Sequence, residues 1–395
     1  MGATTRRHEA LILGCGPAGA TAANLLARAG VDVLALDRAV FPRFHVGESL
    51  LPYEAPLLRR LGVSLDGAHQ IKRGAEFLDE RAGELAYFPF AEGLPGTGPS
   101  AHNVERALFD ELLARRAGEA GAAIHFGEPV VDVSVGPDHV RITTDRAEYV
   151  GRYLIDATGQ DALLARKARA REPITGLGRA AAFCHFHGLA DDVRAELEER
   201  GSVKILLIDD GWMWLIPLTG GRVSVGVVKT QGRIDAGVLE AALRRSSLIE
   251  RLTRGAQRTE PRLLGNFSNR NTQARGARYV CVGDAACFLD PIFSSGVSLA
   301  MQGAATAADL LAPALRDGAE ADPELMAPLA AFLGRGYDSY TRLIRRFYHT
   351  RFVHNLFFGT GQIPILRSGL ITALSGDVWR EDNPFARILD RAQAR

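Results

Sequence analysis

Three glycines near the N-terminus have the spacing of a turn that binds phosphates. An apolar run precedes them, a helix of small residues follows, and a second apolar run ends on Asp37. Gly14 would make the tight turn, Gly16 would let the backbone approach a pyrophosphate, and Gly19 would let the helix pack closely on the strand. The helix N-terminus would stabilise the phosphates, and Asp37 could accept hydrogen bonds from a ribose. The spacing therefore predicts a dinucleotide site built on Gly14-Cys15-Gly16-Pro17-Ala18-Gly19.

Two later segments indicate which dinucleotide binds. Residues 153–159 form an apolar strand that ends in a glycine turn, and residues 282–297 contain Asp284 and a Ser294-Ser295-Gly296 turn before a helix. Asp284 could accept hydrogen bonds from ribityl hydroxyls, and the helix N-terminus could stabilise negative charge on a reduced flavin. A nicotinamide dehydrogenase needs only the first segment, whereas an extended FAD needs contacts along its length. The three segments together favour FAD, while Asp284 and the serines would each also suit a simple helix cap.

The composition excludes several classes of protein. The 395 residues carry a formal net charge of +1, which does not indicate nucleic acid or an anionic membrane as a partner. No apolar run has the length of a membrane span, and the N-terminus leads into the first strand without a signal peptide. We expect a cytoplasmic protein with buried thiols, because no metal or redox spacing is present among Cys15, Cys184, Cys281 and Cys287.

The periodicity of apolar residues predicts an α/β fold. A helix is expected at 104–117, with Asn103 as its N-cap, and a second, longer helix at 297–311. Three alternating segments, 130–135, 140–144 and 149–156, should return to the nucleotide-binding sheet. A second, antiparallel sheet is predicted from 181–189, 202–208, 211–217 and 223–228.

The predicted elements of two lobes interleave along the chain. Strand-like residues after position 72 are expected to join the second sheet, and the aromatic-rich region near the C-terminus is expected to be helical. The predicted division is 1–71, 101–171 and 263–322 for FAD binding, 72–100 and 172–262 for the substrate domain, and 323–395 for the helical C-terminal region.

Four segments carry a family resemblance. They are FPRFHVGESLLP at 41–52, KRGAEF at 72–77, WMWLIP at 212–217 and DPIFSSGV at 290–297. Together with the FAD segments they resemble the flavin monooxygenase superfamily and, within it, the flavin-dependent halogenases. The resemblance covers about residues 8–350. It implies a Rossmann-like FAD-binding domain of the glutathione-reductase type, interleaved with an antiparallel β-sheet substrate domain and followed by a helical C-terminal region.

The resemblance implies a particular chemistry. Reduced FAD and oxygen would oxidise chloride or bromide to hypohalous acid, which would then travel through the protein to its substrate. Lys72 matches the lysine that hydrogen-bonds the hypohalous acid or is itself halogenated. Backbone N–H groups of a turn can bind an anion, and Ser295 and Gly296 match the halide site. The passage and substrate site would be lined by Trp212, Trp214, Pro217 and Phe293.

The resemblance also implies how the cofactor is held and reduced. The chain has no second strand–GxGxxG–helix unit for a nicotinamide, so a separate flavin reductase is expected to supply FADH2. No metal is expected. The expected FAD contacts are Gly14, Gly16, Pro17, Ala18, Gly19, Asp37, Arg38, Arg43, Ser49, Arg106, Asp284, Pro291, Gly296 and Val297.

Two departures from the family bear on the substrate. We call the DPIFSSGV segment at 290–297 the flavin-side turn. Tryptophan halogenases carry a Glu two residues after the Pro of this turn, whereas this chain has Phe293. Because an apolar residue cannot act as a base, we expect an electron-rich aromatic, a phenol or a pyrrole. The short C-terminal region suggests either a substrate tethered to a carrier protein or a member that has lost halogenation. The sequence does not identify a base among His45, His102, His185, His187 and His349.

Two other enzyme activities remain alternatives. An FAD-dependent aromatic hydroxylase would use the same oxidant without halide. A geranylgeranyl-reductase-like enzyme would saturate isoprenoid double bonds without oxygen, and the reductases carry a signature related to WMWLIP. A flavoprotein without catalytic activity is a more distant alternative.

Overall fold

The computed structural model describes residues 5–177, 179–349, 352–359 and 363–391. It has the α/β fold that the sequence predicts, with single-turn 3₁₀ helices at Pro52–Glu54, Phe90–Glu92, Gly159–Asp161, Gly283–Ala285 and Pro291–Phe293. The helices are α1 Pro17–Arg28, α2 Ala55–Arg60, α3 Arg106–Glu119, α4 Leu163–Lys167, α5 Asp191–Arg200, α6 Ala236–Arg245, α7 Ser247–Leu252, α8 Ser295–Asp317, α9 Ala327–His349, α10 Phe352–Phe358, α11 Pro364–Leu374 and α12 Pro384–Arg391. The strands are β1 Thr5–Leu13, β2 Val33–Asp37, β3 Gln70–Lys72, β4 Gly74–Asp79, β5 Glu84–Pro89, β6 Ala101–Asn103, β7 Ala123–Phe126, β8 Val130–Val135, β9 Val140–Thr144, β10 Glu148–Asp156, β11 Arg171–Pro173, β12 Ala180–His187, β13 Val203–Ile208, β14 Gly211–Leu218, β15 Arg222–Lys229, β16 Gln257–Arg258, β17 Arg262–Gly265, β18 Asn269–Asn271, β19 Arg275–Gly276, β20 Tyr279–Cys281 and β21 Cys287–Phe288.

The first large sheet carries the predicted nucleotide-binding elements. Its order is β19-β20-β10-β1-β2-β7, and the pairs within β20-β10-β1-β2-β7 are parallel. The apolar ends of β1 and β2 are buried, as expected for parallel strands covered on both faces. The antiparallel hairpin β8–β9 pairs with β10, which confirms the three predicted strands near residues 130–156.

The second large sheet follows the order β16-β12-β15-β14-β13-β4-β5, with β17 also paired to β12. The four strands predicted between residues 181 and 228 are present as β12, β13, β14 and β15. The sheet is antiparallel except where β4 runs parallel to β13. The prediction of one antiparallel sheet is confirmed for β12 to β15, and β4, from the segment expected to join that sheet, adds a parallel pair. The division into lobes by residue range stays a prediction.

A short two-stranded sheet lies apart from both large sheets. β3 pairs antiparallel with β6, so the segment that begins at Lys72 is divided between this ribbon and the second sheet. Asn103 ends β6, and its side-chain Nδ2 donates to the Gly201 carbonyl at 2.8 Å. The predicted N-cap role of Asn103 is wrong, because α3 begins at Arg106 after Glu105.

Helices complete the fold around the first sheet. α8 continues six residues beyond the predicted end, and its first half is buried. α9 and α10 confirm the helical prediction for the aromatic-rich region, and Tyr340 of α9 is fully buried. Among the helices described, none combines the length and apolar character needed to cross a membrane.

Candidate active site

The predicted phosphate turn has three glycines with different constraints. A Cβ on Gly14 would lie 2.4 Å from the Ala157 carbonyl oxygen, and one on Gly19 would lie 1.8 Å from the Gly14 oxygen. These two positions exclude side chains because the protein itself fills the space. A Cβ on Gly16 would meet nothing closer than Nη2 of Arg43 at 3.4 Å. Open space above Gly16, at the start of an uncapped helix, is what a bound pyrophosphate requires.

Asp37 lies at the tip of β2, beside the turn. One carboxylate oxygen accepts from the Cys15 N–H and the other from the Ala39 N–H, both at 2.8 Å. These bonds fix the carboxylate at the mouth of the turn and leave lone pairs for a ribose. Arg38 points outward and forms an ion pair with Asp161 at 2.7 Å.

Buried Arg106 and half-buried Arg43 share one carboxylate next to the turn. Asp110 forms ion pairs with Arg106 and with Arg43, each at 2.8 Å. Although burial opposes it, the Arg106 guanidinium holds the pKa of Asp110 below its usual value. Arg106 also donates to the Val46 and Gly47 carbonyls at 2.8 and 3.2 Å, so it fixes the loop that leads to the candidate site.

The three FAD segments meet in space. A Cβ on Gly283 would lie 3.1 Å from the Ala300 Cβ and 3.3 Å from the Ala18 Cβ, so the first turn of α1 and the helix α8 converge there. Asp284, the next residue, accepts from Gln160 Nε2 at 2.9 Å, and burial raises its pKa to about 6. The structure thus brings Asp284 to the first-turn end of α1.

The flavin-side turn leads into α8. Ser294 adopts a left-handed conformation with φ of 56° and makes no side-chain cap, so the first N–H groups of α8 keep their hydrogen-bonding capacity. Ser295 and Val297 are buried there, and a Cβ on Gly296 would lie 3.0 Å from Cε2 of Phe288. Pro291 begins the preceding 3₁₀ turn. The arrangement fits the predicted halide and flavin contacts.

These features agree with a bound FAD. The sequence predicts space for a pyrophosphate, and the space above Gly16 is open. It also predicts a carboxylate for the ribose and free N–H groups for the flavin, which Asp37 and the uncapped start of α8 provide. Ser49 differs from expectation because its hydroxyl is already engaged by a lysine. The roles of the individual residues stay predictions.

Lys72 lies in the interior. Its side chain is 1% exposed, and Nζ donates to Oγ of Ser49 at 2.8 Å and to the Leu50 carbonyl at 3.0 Å. Nζ also lies 5.3 Å from the ring centroid of Phe90. Burial lowers the pKa of Lys72 to about 7, and Glu54 partly offsets this. A surface charge, the ordinary role of a lysine, is excluded at this position.

The local backbone explains how Lys72 reaches Ser49 and Leu50. Ser49 forms an isolated antiparallel β-bridge with Asn103, and the Leu50 N–H donates to the His102 carbonyl at 2.9 Å. The backbone at Ser49 and Leu50 therefore extends the two-stranded sheet of β3 and β6. The segments 41–52 and 72–77, which carry separate parts of the resemblance, are therefore neighbours in space.

The two tryptophans lie together on one face of β14. Their ring centroids are 5.9 Å apart, and Trp214 lies 5.9 Å from Phe183. Because side chains alternate along a strand, Pro217 lies on the opposite face with Met213 and Leu215. Pro217 therefore faces away from the two tryptophans, and its role in lining a passage stays a prediction. Phe293 is buried and packs edge-on against Phe347, with the two ring centroids 6.1 Å apart.

Comparison with known proteins identifies the family. The family model for tryptophan halogenases matches residues 9–98 and 94–355. The chain belongs to the tryptophan halogenase family.

Individual members of the family support this assignment. A flavin-dependent halogenase of Armillaria mellea is 32% identical over 78% of this chain and 65% of its own length. The 1H-pyrrole-2-carbonyl peptidyl-carrier protein chlorinase of Pseudomonas fluorescens is 27% identical over 94% of this chain and 90% of its own length. The chain thus spans slightly under two thirds of the Armillaria protein but most of the chlorinase. The predicted resemblance to flavin-dependent halogenases, and with it FAD as the family cofactor, is confirmed.

Solved structures share the whole fold. A flavoprotein/dehydrogenase of Cytophaga hutchinsonii matches with a TM-score of 0.87 at 26% identity, covering 98% of this chain and 100% of that one. The flavin-dependent brominase Bmp2 matches with a TM-score of 0.85 at 26% identity, covering 98% of both chains. The predicted fold class is confirmed along essentially the full chain.

Sequence reasoning missed several residues that surround this halogenase-family site. Asp110 joins the two arginines, and Tyr348 accepts from Nε1 of Trp212 at 2.7 Å. Glu54 is fully buried near Lys72. No motif carries these residues, because each reaches the site through tertiary packing.

The candidate histidines differ in their surroundings. His185 Nε2 lies 2.8 Å from Oε1 of Glu48, which is buried, and His185 shares its face of β12 with Phe183. His102 lies 3.4 Å from Asp66, which is exposed, and Nδ1 of His45 hydrogen-bonds the Val46 carbonyl oxygen. His187 is half-buried, and the His349 side chain lies outside the described residues. His185 is thus the candidate paired with a buried carboxylate.

Proposed function

We propose that this chain is an FAD-dependent halogenase of electron-rich aromatic compounds. It would use reduced flavin, oxygen and chloride or bromide, as part of secondary metabolism. The observation that carries the proposal is the interior position of Lys72, whose ammonium donates to Ser49 and Leu50. Family membership and the convergence of the three FAD segments support it.

The substrate class follows from the residues around the flavin-side turn. Phe293 supplies no base and packs against Phe347, so the ring that reacts must be activated by its own heteroatom or by an electron-donating substituent. A phenol or a pyrrole meets this condition. Support for a carrier-tethered substrate comes from the pyrrole chlorinase, which this chain matches over most of both lengths.

The protein's own residues would divide the work between two places. FAD, when bound, supplies the oxidising power that converts halide into hypohalous acid. The N–H groups at Ser295 and Gly296 would hold the halide. Trp212 and Trp214 would separate substrate from the flavin, and a Lys72 N–H not used by Ser49 or Leu50 would orient the hypohalous acid.

We also propose a separate flavin reductase as a partner and the cytoplasm as the location. The described residues contain no second dinucleotide-binding strand–turn–helix unit after α1, which supports an external source of electrons. The four cysteines are free, in agreement with a reducing compartment.

One assay series tests the activity. Purified FAD-loaded protein would be given a flavin reductase, NADH, oxygen, bromide or chloride, and phenols and pyrrole-2-carbonyl groups, both free and on a carrier protein. Mass spectrometry should detect a halogenated product that requires both halide and oxygen. Oxygen insertion without halide would instead identify a hydroxylase, and turnover without oxygen would identify a reductase; either result would overturn the proposal.

A further inference from the structure

Two consecutive residues of α9 contact the flavin-side turn. The hydroxyl of Tyr348 donates to Oδ2 of Asp290 at 3.0 Å. The ring of Phe347 packs edge-on against Phe293, with the two centroids 6.1 Å apart. Both contacted residues come shortly before the N–H groups that are predicted to hold the halide. The C-terminal region therefore supports the turn at two points, one polar and one apolar.

The backbone of Ser294 explains why the turn needs this support. Ser294 is left-handed, with φ of 56° and ψ of 24°. A residue with a Cβ adopts this conformation at a cost in free energy and keeps it only where the surroundings hold it. The Ser294 N–H donates to the Pro291 carbonyl at 3.0 Å, and the Asp290 carboxylate accepts from the Ile292 N–H at 3.0 Å. Asp290 therefore connects α9 to the tight turn that places Ser294.

The same helix also packs closely on α8. A Cβ on Gly303 of α8 would lie 3.2 Å from Cδ1 of Leu333, which belongs to α9. Tyr340, between Leu333 and the residues that contact the turn, is fully buried. Since α9 contacts both the turn and the helix that follows it, α9 helps to set the direction of the first N–H groups of α8.

Arg179 balances the charge of the buried Asp290 carboxyl. Its guanidinium carbon lies 4.4 Å from the centroid of the Tyr348 ring. Burial raises the pKa of Asp290 to about 7, and the Ile292 N–H, the Tyr348 hydroxyl and Arg179 partly offset this. A cation beside the carboxylate reduces the repulsion that a halide at the start of α8 would meet. Support of the turn by a carboxylate is therefore compatible with an anion site.

We propose that Tyr348 and Phe347 are positioning residues for the halide. They hold the flavin-side turn so that the N–H groups of Ser295 and Gly296 converge on one anion, and chloride depends on them more than bromide does. Neither side chain touches the halide; both act through the turn. This inference rests on the proposed halogenase function.

The difference between the two halides follows from their size. Chloride is smaller and more strongly hydrated than bromide, so it loses more on leaving water. A buried ion is stabilised only if protein donors replace its hydration, and donors held in place do this without a cost of reorganisation. A turn that is less firmly held would therefore lose affinity for chloride before it loses affinity for bromide.

The test measures halide binding by the protein loaded with oxidised FAD, without turnover. Chloride binding is followed by the line width of the ³⁵Cl NMR signal, and bromide binding by the displacement of chloride. Tyr348→Phe removes the hydrogen bond to Asp290 and should weaken chloride binding about tenfold and bromide binding only about threefold. Phe347→Leu removes the edge-on ring contact and should give a smaller loss in the same direction. Phe347→Leu also decides the proposal if Tyr348→Phe does not fold.

Tyr149→Phe is the matched control. It also removes a tyrosine hydroxyl that donates to a buried carboxylate, that of Glu128 at 2.7 Å, but this pair lies at the β7 edge of the first sheet. A general loss of stability would affect both tyrosine variants, whereas a loss of halide affinity should appear only in Tyr348→Phe.

Steady-state kinetics supply a second readout. In Tyr348→Phe the KM for chloride should rise about tenfold, while the KM for reduced flavin stays at the natural value. Natural chloride affinity in folded Tyr348→Phe and Phe347→Leu would overturn the inference and leave the proposed function standing. An equal loss for the two halides would overturn the difference between them. If the natural protein binds neither halide, the halide site fails, and the proposed function fails with it.

Discussion

Trp212 and Tyr348 are joined by a hydrogen bond between the second sheet and the C-terminal helix α9. The indole N–H of Trp212 donates to the Tyr348 oxygen at 2.7 Å, and that hydroxyl donates to the Asp290 carboxylate at 3.0 Å. Asp290 also accepts from the Ile292 N–H at 3.0 Å, which shapes the flavin-side turn. The candidate passage wall, the C-terminal region and the flavin-side turn are therefore held by one chain of hydrogen bonds.

Tyr348→Phe should loosen this connection. The indole N–H of Trp212 and the Asp290 carboxylate would each lose a partner in a buried setting, which costs on the order of 2 kcal/mol of unfolding free energy. Urea denaturation measures this loss. Tyr279→Phe is a control, because the Tyr279 hydroxyl makes an exposed 3.3 Å bond to the Gln273 carbonyl.

The Tyr348→Phe variant should also release more hypohalous acid into solution. With the wall and the flavin-side turn less firmly connected, more hypohalous acid should escape before it meets the substrate. A small halogen acceptor in solution, such as monochlorodimedone, would capture it, and the ratio of captured halogen to enzymatic product should rise in Tyr348→Phe. An unchanged ratio in a correctly folded variant would show that the chain of hydrogen bonds serves stability alone.

The glycines of the phosphate turn should separate folding from cofactor binding. Gly16→Ala adds a methyl group with no neighbour closer than Arg43 Nη2, so the apo-protein should keep its thermal stability. The methyl would occupy the pyrophosphate position, and FAD affinity, measured by flavin fluorescence, should fall about tenfold or more. Gly14→Ala places a Cβ against Ala157 at a φ of +91° and should prevent folding. Normal FAD binding by Gly16→Ala would refute the assignment of the turn.

The sequence was most informative where function restricts residue type. Gly14, Gly16 and Gly19 predicted the first strand–turn–helix, and the apolar segments near β12 to β15 predicted the second sheet, because periodicity and backbone constraints are local. The position of Lys72 in the interior could not be read from its neighbours. It depends on the pairing of β3 with β6 and of the Ser49 segment with Asn103, which are long-range contacts.

Residue type and motif did not show on which face of a strand, or in which kind of element, a residue lies. Trp212, Trp214 and Pro217 belong to one signature, yet strand alternation places Pro217 on the other face. Asn103 has a residue type suited to an N-cap but ends a strand. Glu54 and Tyr348 carried no sequence signal, because an isolated glutamate or tyrosine is usually exposed or structural, and only packing brought them to the site.

Glu54 should make stability depend on pH. The pKa of its carboxyl is near 4.5 when unfolded and about 8 when folded, so between these values the folded state holds a proton that the unfolded state has released. Stability therefore falls as pH rises across this window. The Glu54→Gln variant lacks the effect, and its unfolding free energy relative to the natural protein should improve by about 2–3 kcal/mol between pH of about 5 and about 7. Urea denaturation at both pH values measures this.

The control for that experiment is Glu128→Gln. Its partners include Thr144 and Tyr149, which donate to the Glu128 carboxylate at 2.8 and 2.7 Å. Although burial opposes it, these hydrogen bonds lower the pKa of Glu128 below its usual value. Glu128 therefore stays ionised across the window. Nδ1 of His125 lies 3.1 Å from Oε2 of Glu128, so the comparison is made in a His125→Gln background, where the effect of Glu128→Gln should not change with pH. A constant difference for Glu54→Gln as well would contradict the burial of an ionisable Glu54.

The most direct test of the account is the dependence of halogenation on the buried lysine. Lys72→Met should keep FAD bound but lose at least about a hundredfold in haloarene formation, measured by mass spectrometry under saturating reduced flavin, halide and substrate. The matched control, Lys167→Met, removes an exposed lysine that pairs with Asp132 and should keep normal activity. Haloarene formation by Lys72→Met at the rate of Lys167→Met would contradict the central claim.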